Sequence, residues 1–140
     1  MDQKSRLKGL YTKYNLTKED VFKSPQGWVI ITRSGIDNIQ SQAKIAISYE
    51  PISLDKDFVV IKATGKMGDE VIETFGEASS TNTKNKYPIA MAEKRAMSRV
   101  VLKLSGFYAA GVFGEDEADD FKVKKTDRQP IGDLIQEKLT

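Results

Sequence analysis

Leu7, Leu10, Tyr11 and Tyr14 recur at spacings of three and four, which predicts a short amphipathic helix over Asp2–Tyr14. Thr17 and Asp20 stand as in a capping box, with Asp replacing the usual Glu, and a second helical turn carrying Val21 and Phe22 is expected there. "SPQG" then breaks the pattern. Trp28–Thr32 reads as a buried strand with Trp28 in the core, turning at Ser34–Gly35, and Ile36 with Ile39 predicts a short helix behind it. Alternation of Ile45, Ile47 and Tyr49 gives a half-buried strand with Pro51 near its end. Phe58–Gly65 and Val71–Ala78 follow as two strands around a glycine-bearing turn in "KMGDE". The expected centre is an antiparallel meander of three strands, with Trp28–Thr32 a candidate fourth.

A polar loop, "SSTNTKNK", leads into the longest helical pattern. Pro88 suits its first turn, and Gly106 suits the position just past its end near Ser105. At ~100° per residue, Ala90, Met97, Val100, Val101 and Leu104 gather into a core-facing stripe. The fold class expected is therefore α+β: an antiparallel sheet of three to four strands, one long helix packed on it, and a short N-terminal helix. Residues 1–121 form a single core domain in this reading. Residues 122–140 make a C-terminal linker ("KVKKTDRQP") and a short helix ("IGDLIQEKL").

Composition narrows the chemistry. With 140 residues, 39% hydrophobic and 30% charged, the chain has the make-up of one globular domain. It contains no cysteine and no histidine, which removes thiol nucleophiles, disulfides, serine–histidine triads and the commonest metal ligands. Carboxylate-only magnesium chemistry stays open. No apolar run approaches a membrane span and no signal core opens the chain, so a cytoplasmic protein without a membrane partner is expected. No catalytic residue, metal site or cofactor is expected.

The net charge is only +2, but it is polarised. Lys84, Lys86, Lys94, Arg95, Arg99 and Lys103 face Glu93 as the one acid of the same stretch, whereas Glu115, Asp116, Glu117, Asp119 and Asp120 contain no base among them. Arg95, Arg99 and Lys103 repeat at spacing four as a basic ridge beside the apolar stripe. Like charges so placed cost ~0.2–0.5 kcal/mol per pair in an isolated helix. The ridge is either a solvated face or the seat of something anionic. The polar loop with Lys84 and Lys86 is of the kind that reaches phosphates, and Lys62 and Lys66 on the hairpin would extend that path, although lysines on strands also guard sheet edges. Arg33 is a minor phosphate candidate. Phe107, Tyr108 and Phe113 would stack on bases if exposed, and core packing is expected for at least two of the three.

The sheet pattern leading through a polar loop into "AMAEKRAMSRVVLKLSGFY", with "GWVIITRSGIDNI" before it and "GVFGEDEADDF" after it, resembles the Rad-fifty-two-like single-strand annealing proteins, many of them phage-encoded. The resemblance covers roughly Leu16 to Phe121. It implies a β-β-β-α core that assembles side by side into a ring or filament, with single-stranded DNA in a groove lined by basic residues of the helix and the hairpin. By motif position Arg99 and Lys103 match groove residues, and Lys94 and Arg95 match less closely. A bacterial host cytoplasm would follow. Phosphate neutralisation would then give sequence-independent, salt-sensitive binding that leaves bases able to pair.

Two readings compete with annealing. One is a single-stranded DNA-binding protein on a five-strand barrel of the OB type, which protects strands without annealing them. The other is a structural protein whose basic helix and acidic segment serve self-assembly alone. The acidic segment has three readings of its own: a solvated run, a magnesium site at Asp116, Asp119 and Asp120, or a dock for a neighbouring subunit's basic helix that competes with DNA. "ATGKMGDE" lacks the ending of a phosphate loop and reads as a hairpin turn.

Overall fold

The computed structural model describes residues 3–55, 57–79, 87–117 and 129–130. In chain order these form α1 (Gln3–Lys13), β1 (Val21–Lys23), β2 (Val29–Ile31), α2 (Arg33–Ala43), β3 (Ala46–Asp55), β4 (Phe58–Met67), β5 (Glu70–Ser79), α3 (Pro88–Ser105), a 3-10 turn (Tyr108–Ala110), β6 (Val112–Gly114) and β7 (Gln129–Pro130). The architecture is α+β, as the hydrophobic pattern predicts. The meander is a three-stranded antiparallel sheet in the order β3-β4-β5. Its β4–β5 hairpin closes through Gly68–Asp69, where Gly68 has φ 62 and Asp69 does not share it, as a type II′ turn requires.

The Trp28–Thr32 segment does not join that meander. β2 pairs antiparallel with β1 and parallel with β6 in a second small sheet of order β6-β2-β1-β7. The contacts of a capping box form at Thr17, whose N–H donates to Asp20 Oδ2 at 2.9 Å, but the chain then enters β1 rather than a helix. Branched and aromatic Val21 and Phe22 suit a strand, and β2 is there to pair with them. Gln129 and Pro130, expected to be linker, pair with Lys23 and Phe22. The expected C-terminal helix lies outside the described residues.

Alternation in β4 sends Val59, Ile61, Ala63 and Gly65 to one face, and α3 lies across that face. The helix backbone approaches so closely that a Cβ at Gly76 of β5 would stand 1.9 Å from the Ala92 carbonyl oxygen. α1, α2 and the small sheet cover the far side of α3, so its second half is buried nearly all round, with Val100, Val101, Leu102 and Leu104 in one cluster with Leu7, Tyr11, Ile36, Ile39 and Phe107. Gly106 ends the helix at φ 95.

Candidate nucleic-acid interface

The long helix carries its cations onto an open sheet edge. Among the described strands β5 has no partner on its outer side, so alternate carbonyls there lack ladder partners. Arg95 donates from Nη1 to the Glu77 carbonyl at 2.7 Å, and Arg99 Nη1 donates to the Phe75 carbonyl. The spacing explains why. Four helical residues advance ~6 Å and two strand residues ~6.8 Å, so arginines at i and i+4 meet carbonyls two residues apart on an antiparallel neighbour. The spacing-four ridge is the footprint of an edge cap.

Arg95 is 1% exposed, and its Nε also donates to the Asp116 carbonyl at 3.3 Å. Its guanidinium is committed to backbone oxygens and is not presented to solvent. Arg99 is half-buried and forks onto Glu77, Nη1 to Oε2 at 2.9 Å and Nη2 to Oε1 at 3.0 Å, while its Nε donates to Glu117 Oε1 at 2.7 Å. Burial works against the charged form of Arg99, but the hydrogen bonds to Glu77 and Glu117 win and strengthen its hold on the proton. The Arg99 hydrogen bond keeps the Glu77 carboxyl below its ordinary range against the opposing effect of burial.

The acidic segment therefore meets the basic helix of its own chain. Glu115 Oε1 accepts from the Arg33 N–H at 2.9 Å, at the N-terminus of α2 where the helix dipole favours a carboxylate. Asp116 Oδ2 accepts from Ser98 Oγ at 2.7 Å and lies 3.6 Å from Arg33 Nη1, and Arg33 also pairs with Asp37. The turn over residues 115–117 is a clasp joining β6, α2, α3 and the β5 edge. Among the described residues no cluster of acidic side chains is arranged to hold a metal ion, and Asp119 and Asp120 lie outside them.

The other expected site residues do not converge on one groove. Lys62 and Lys66 alternate with Ala63 and Gly65, so they stand on the sheet face turned away from α3. Lys62 bridges Glu50 at 3.1 Å and Glu73 at 3.9 Å, and the Glu50 hydrogen bond strengthens its hold on the proton. Lys66 is exposed. Lys94 and Lys103 are exposed on opposite sides of α3, nine residues apart at ~100° each. Lys66, Lys94 and Lys103 enter none of the ion pairs among the described residues. Lys84 and Lys86 lie outside the described residues.

The aromatic residues divide differently from expectation. Phe107 is buried, stacked on Tyr11, and Phe113 is partly covered. Tyr108 is 41% exposed, with Lys103 Nζ 5.3 Å from its ring centroid. Trp28, expected in the core, is 44% exposed. It stands one residue before β2 begins, directly after Gly27 at φ 91, where the chain is still turning. That turn-then-tryptophan order, "QGW", is the signal in the sequence that would have placed it outside. Glu77, the residue that neutralises Arg99, carries no such signal because only the strand register brings it to the helix.

Fold and site together define an α+β protein whose long helix is clasped to a sheet edge by arginines and carboxylates, with lysines and aromatics left in solvent at its flanks. No helix among the described residues is long and apolar enough to cross a membrane. Comparison of the chain with protein-family models, curated proteins and solved structures finds no match.

Proposed function

We propose that this protein binds single-stranded DNA without sequence choice and anneals complementary strands, as the resemblance to the Rad-fifty-two-like proteins of phage recombination implies, and that it does so as a homo-oligomer without a catalytic residue. One observation carries the reading: the fold uses Arg95 and Arg99 for itself but leaves Lys94 and Lys103 of the same helix exposed and without carboxylate partners among the described residues. Such lysines contribute little to folding, and phosphates are the natural partners for them. Lys66 adds a further contact on the hairpin. Arg99 is a second-stage contact, through the Nε that Glu117 occupies in the fold.

β3 supports assembly. It is ten residues long, pairs only with β4 among the described strands, and exposes Tyr49, Ile52 and Leu54. Pro51 and the bulge before Ser53 blunt one half of this edge, and Ala46–Glu50 is regular. This open edge equally favours the second reading, self-assembly without nucleic acid.

Fluorescence anisotropy with a labelled oligonucleotide at two salt concentrations tests the first reading. Wild-type protein is expected to bind in a salt-dependent way, and the Lys94→Ala/Lys103→Ala variant to lose about 1.4 units of the log–log salt slope, at ~0.7 per phosphate contact. Absence of salt-sensitive binding sinks it. An annealing assay with complementary strands then separates annealing from protection, and a mass measurement with and without oligonucleotide tests assembly.

A further inference from the structure

Trp28, Phe113 and Tyr108 come from three separate places in the chain and form one strip. Trp28 and Phe113 meet edge to face with centroids 5.4 Å apart, and Phe113 meets Tyr108 in the same manner at 6.3 Å. Lys103 stands at the Tyr108 end. Each ring is set by backbone. Trp28 is clamped through both of its main-chain groups to buried Ser24: its carbonyl accepts from Ser24 N–H at 2.9 Å, and its N–H donates to Ser24 Oγ at 3.1 Å. Phe113 is the outward residue of β6, held in register with Ile30, and Tyr108 opens a 3-10 turn anchored by buried Phe107.

Tryptophan is highly buried on average, so a rigid tryptophan and tyrosine at this exposure need a reason. Ordered rings lose little freedom on binding. A lysine over one of these partly exposed aromatic rings matches a ligand with flat π surfaces strung on an anionic backbone.

We infer that the Trp28–Phe113–Tyr108 strip is a stacking platform for the bases of single-stranded nucleic acid, with Lys103 taking the adjoining phosphate. The inference rests on the functional reading above and deepens it. A platform of this size engages about two bases. The strand is anchored there by its bases while its remaining nucleotides stay free to pair.

The chain has a single tryptophan, so its intrinsic fluorescence reports on the platform alone. The experiment titrates the full-length protein with an oligothymidylate and with an abasic phosphodiester of equal length, following Trp28 emission and the anisotropy of the labelled strand together. Oligothymidylate is expected to quench Trp28 and the abasic strand to leave it unchanged while binding more weakly. Trp28→Ala and Tyr108→Leu are each expected to weaken oligothymidylate binding about tenfold, and Tyr108→Phe, which keeps the ring, to bind as wild type. Equal, salt-sensitive binding of both strands with unmoved fluorescence overturns the platform and leaves phosphate binding standing. Failure of both strands to bind at low salt overturns both. A Trp28→Ala variant that changes the mass of the free protein but not its affinity makes the strip a self-association surface and also overturns the inference.

Discussion

Replacing Arg95 by alanine separates a cation that builds the fold from one that serves a ligand. The side chain is 1% exposed and supplies charged donors to the Glu77 and Asp116 carbonyls at 2.7 and 3.3 Å. Hydrogen bonds involving a charged group contribute ~1.5–3 kcal/mol each. The longer bond belongs at the low end, and the Glu77 carbonyl, on a sheet edge, regains some water when the arginine leaves. The expected loss is about 3 kcal/mol, which for a domain of this size lowers the melting temperature by roughly 10 °C. Lys103→Ala, on the same ridge but in solvent, is expected to change stability by less than about 0.5 kcal/mol. Urea unfolding followed by circular dichroism measures both, with oligonucleotide anisotropy on the same samples. An Arg95→Ala protein within about 1 kcal/mol of wild type that binds oligonucleotide more weakly would refute the edge-cap argument.

Gly76→Ala places a Cβ 1.9 Å from the Ala92 carbonyl oxygen and 2.5 Å from the Ala96 nitrogen, both backbone atoms, so the helix must lift from the sheet. A loss of about 1–3 kcal/mol or more is expected in a thermal melt, and a wild-type melt would show that the helix moves freely on the sheet. Glu77 titrates below its ordinary range in the fold, so its contribution is complete above the unfolded value of about 4.3 and is lost as pH falls through the lower folded value. The urea midpoint is therefore expected to drop on acidification below about pH 4, and Glu77→Gln to flatten that part of the profile; identical profiles would remove Glu77 from the account. Glu117→Ala removes one acceptor from Arg99 and is expected to raise oligonucleotide affinity at low salt by freeing its Nε. Unchanged affinity would mean that Arg99 stays on Glu77 and contributes nothing to binding.

The elements that local pattern controls were legible in the sequence. Two-residue alternation marks β3, β4 and β5, glycine marks the hairpin tip, and Pro88 and Gly106 bound the long helix within a residue. Those signals are local because strand pleat and helix caps are settled by neighbours in the chain. The second sheet was not legible: β2 finds its partners in β1 before it and β6 some eighty residues after it, and three-residue strands have no period to detect. Periodicity also placed Arg95, Arg99 and Lys103 correctly on one line, but it cannot say what that line faces. Tertiary structure decided that. Packing α3 along β5 brought two arginines to edge carbonyls and to Glu77, and the turn after β6 brought Glu115, Asp116 and Glu117 back onto the helix. A charge has a role only through what lies within a few ångströms of it, and for this ridge those neighbours come from strands and turns 18 to 24 residues away.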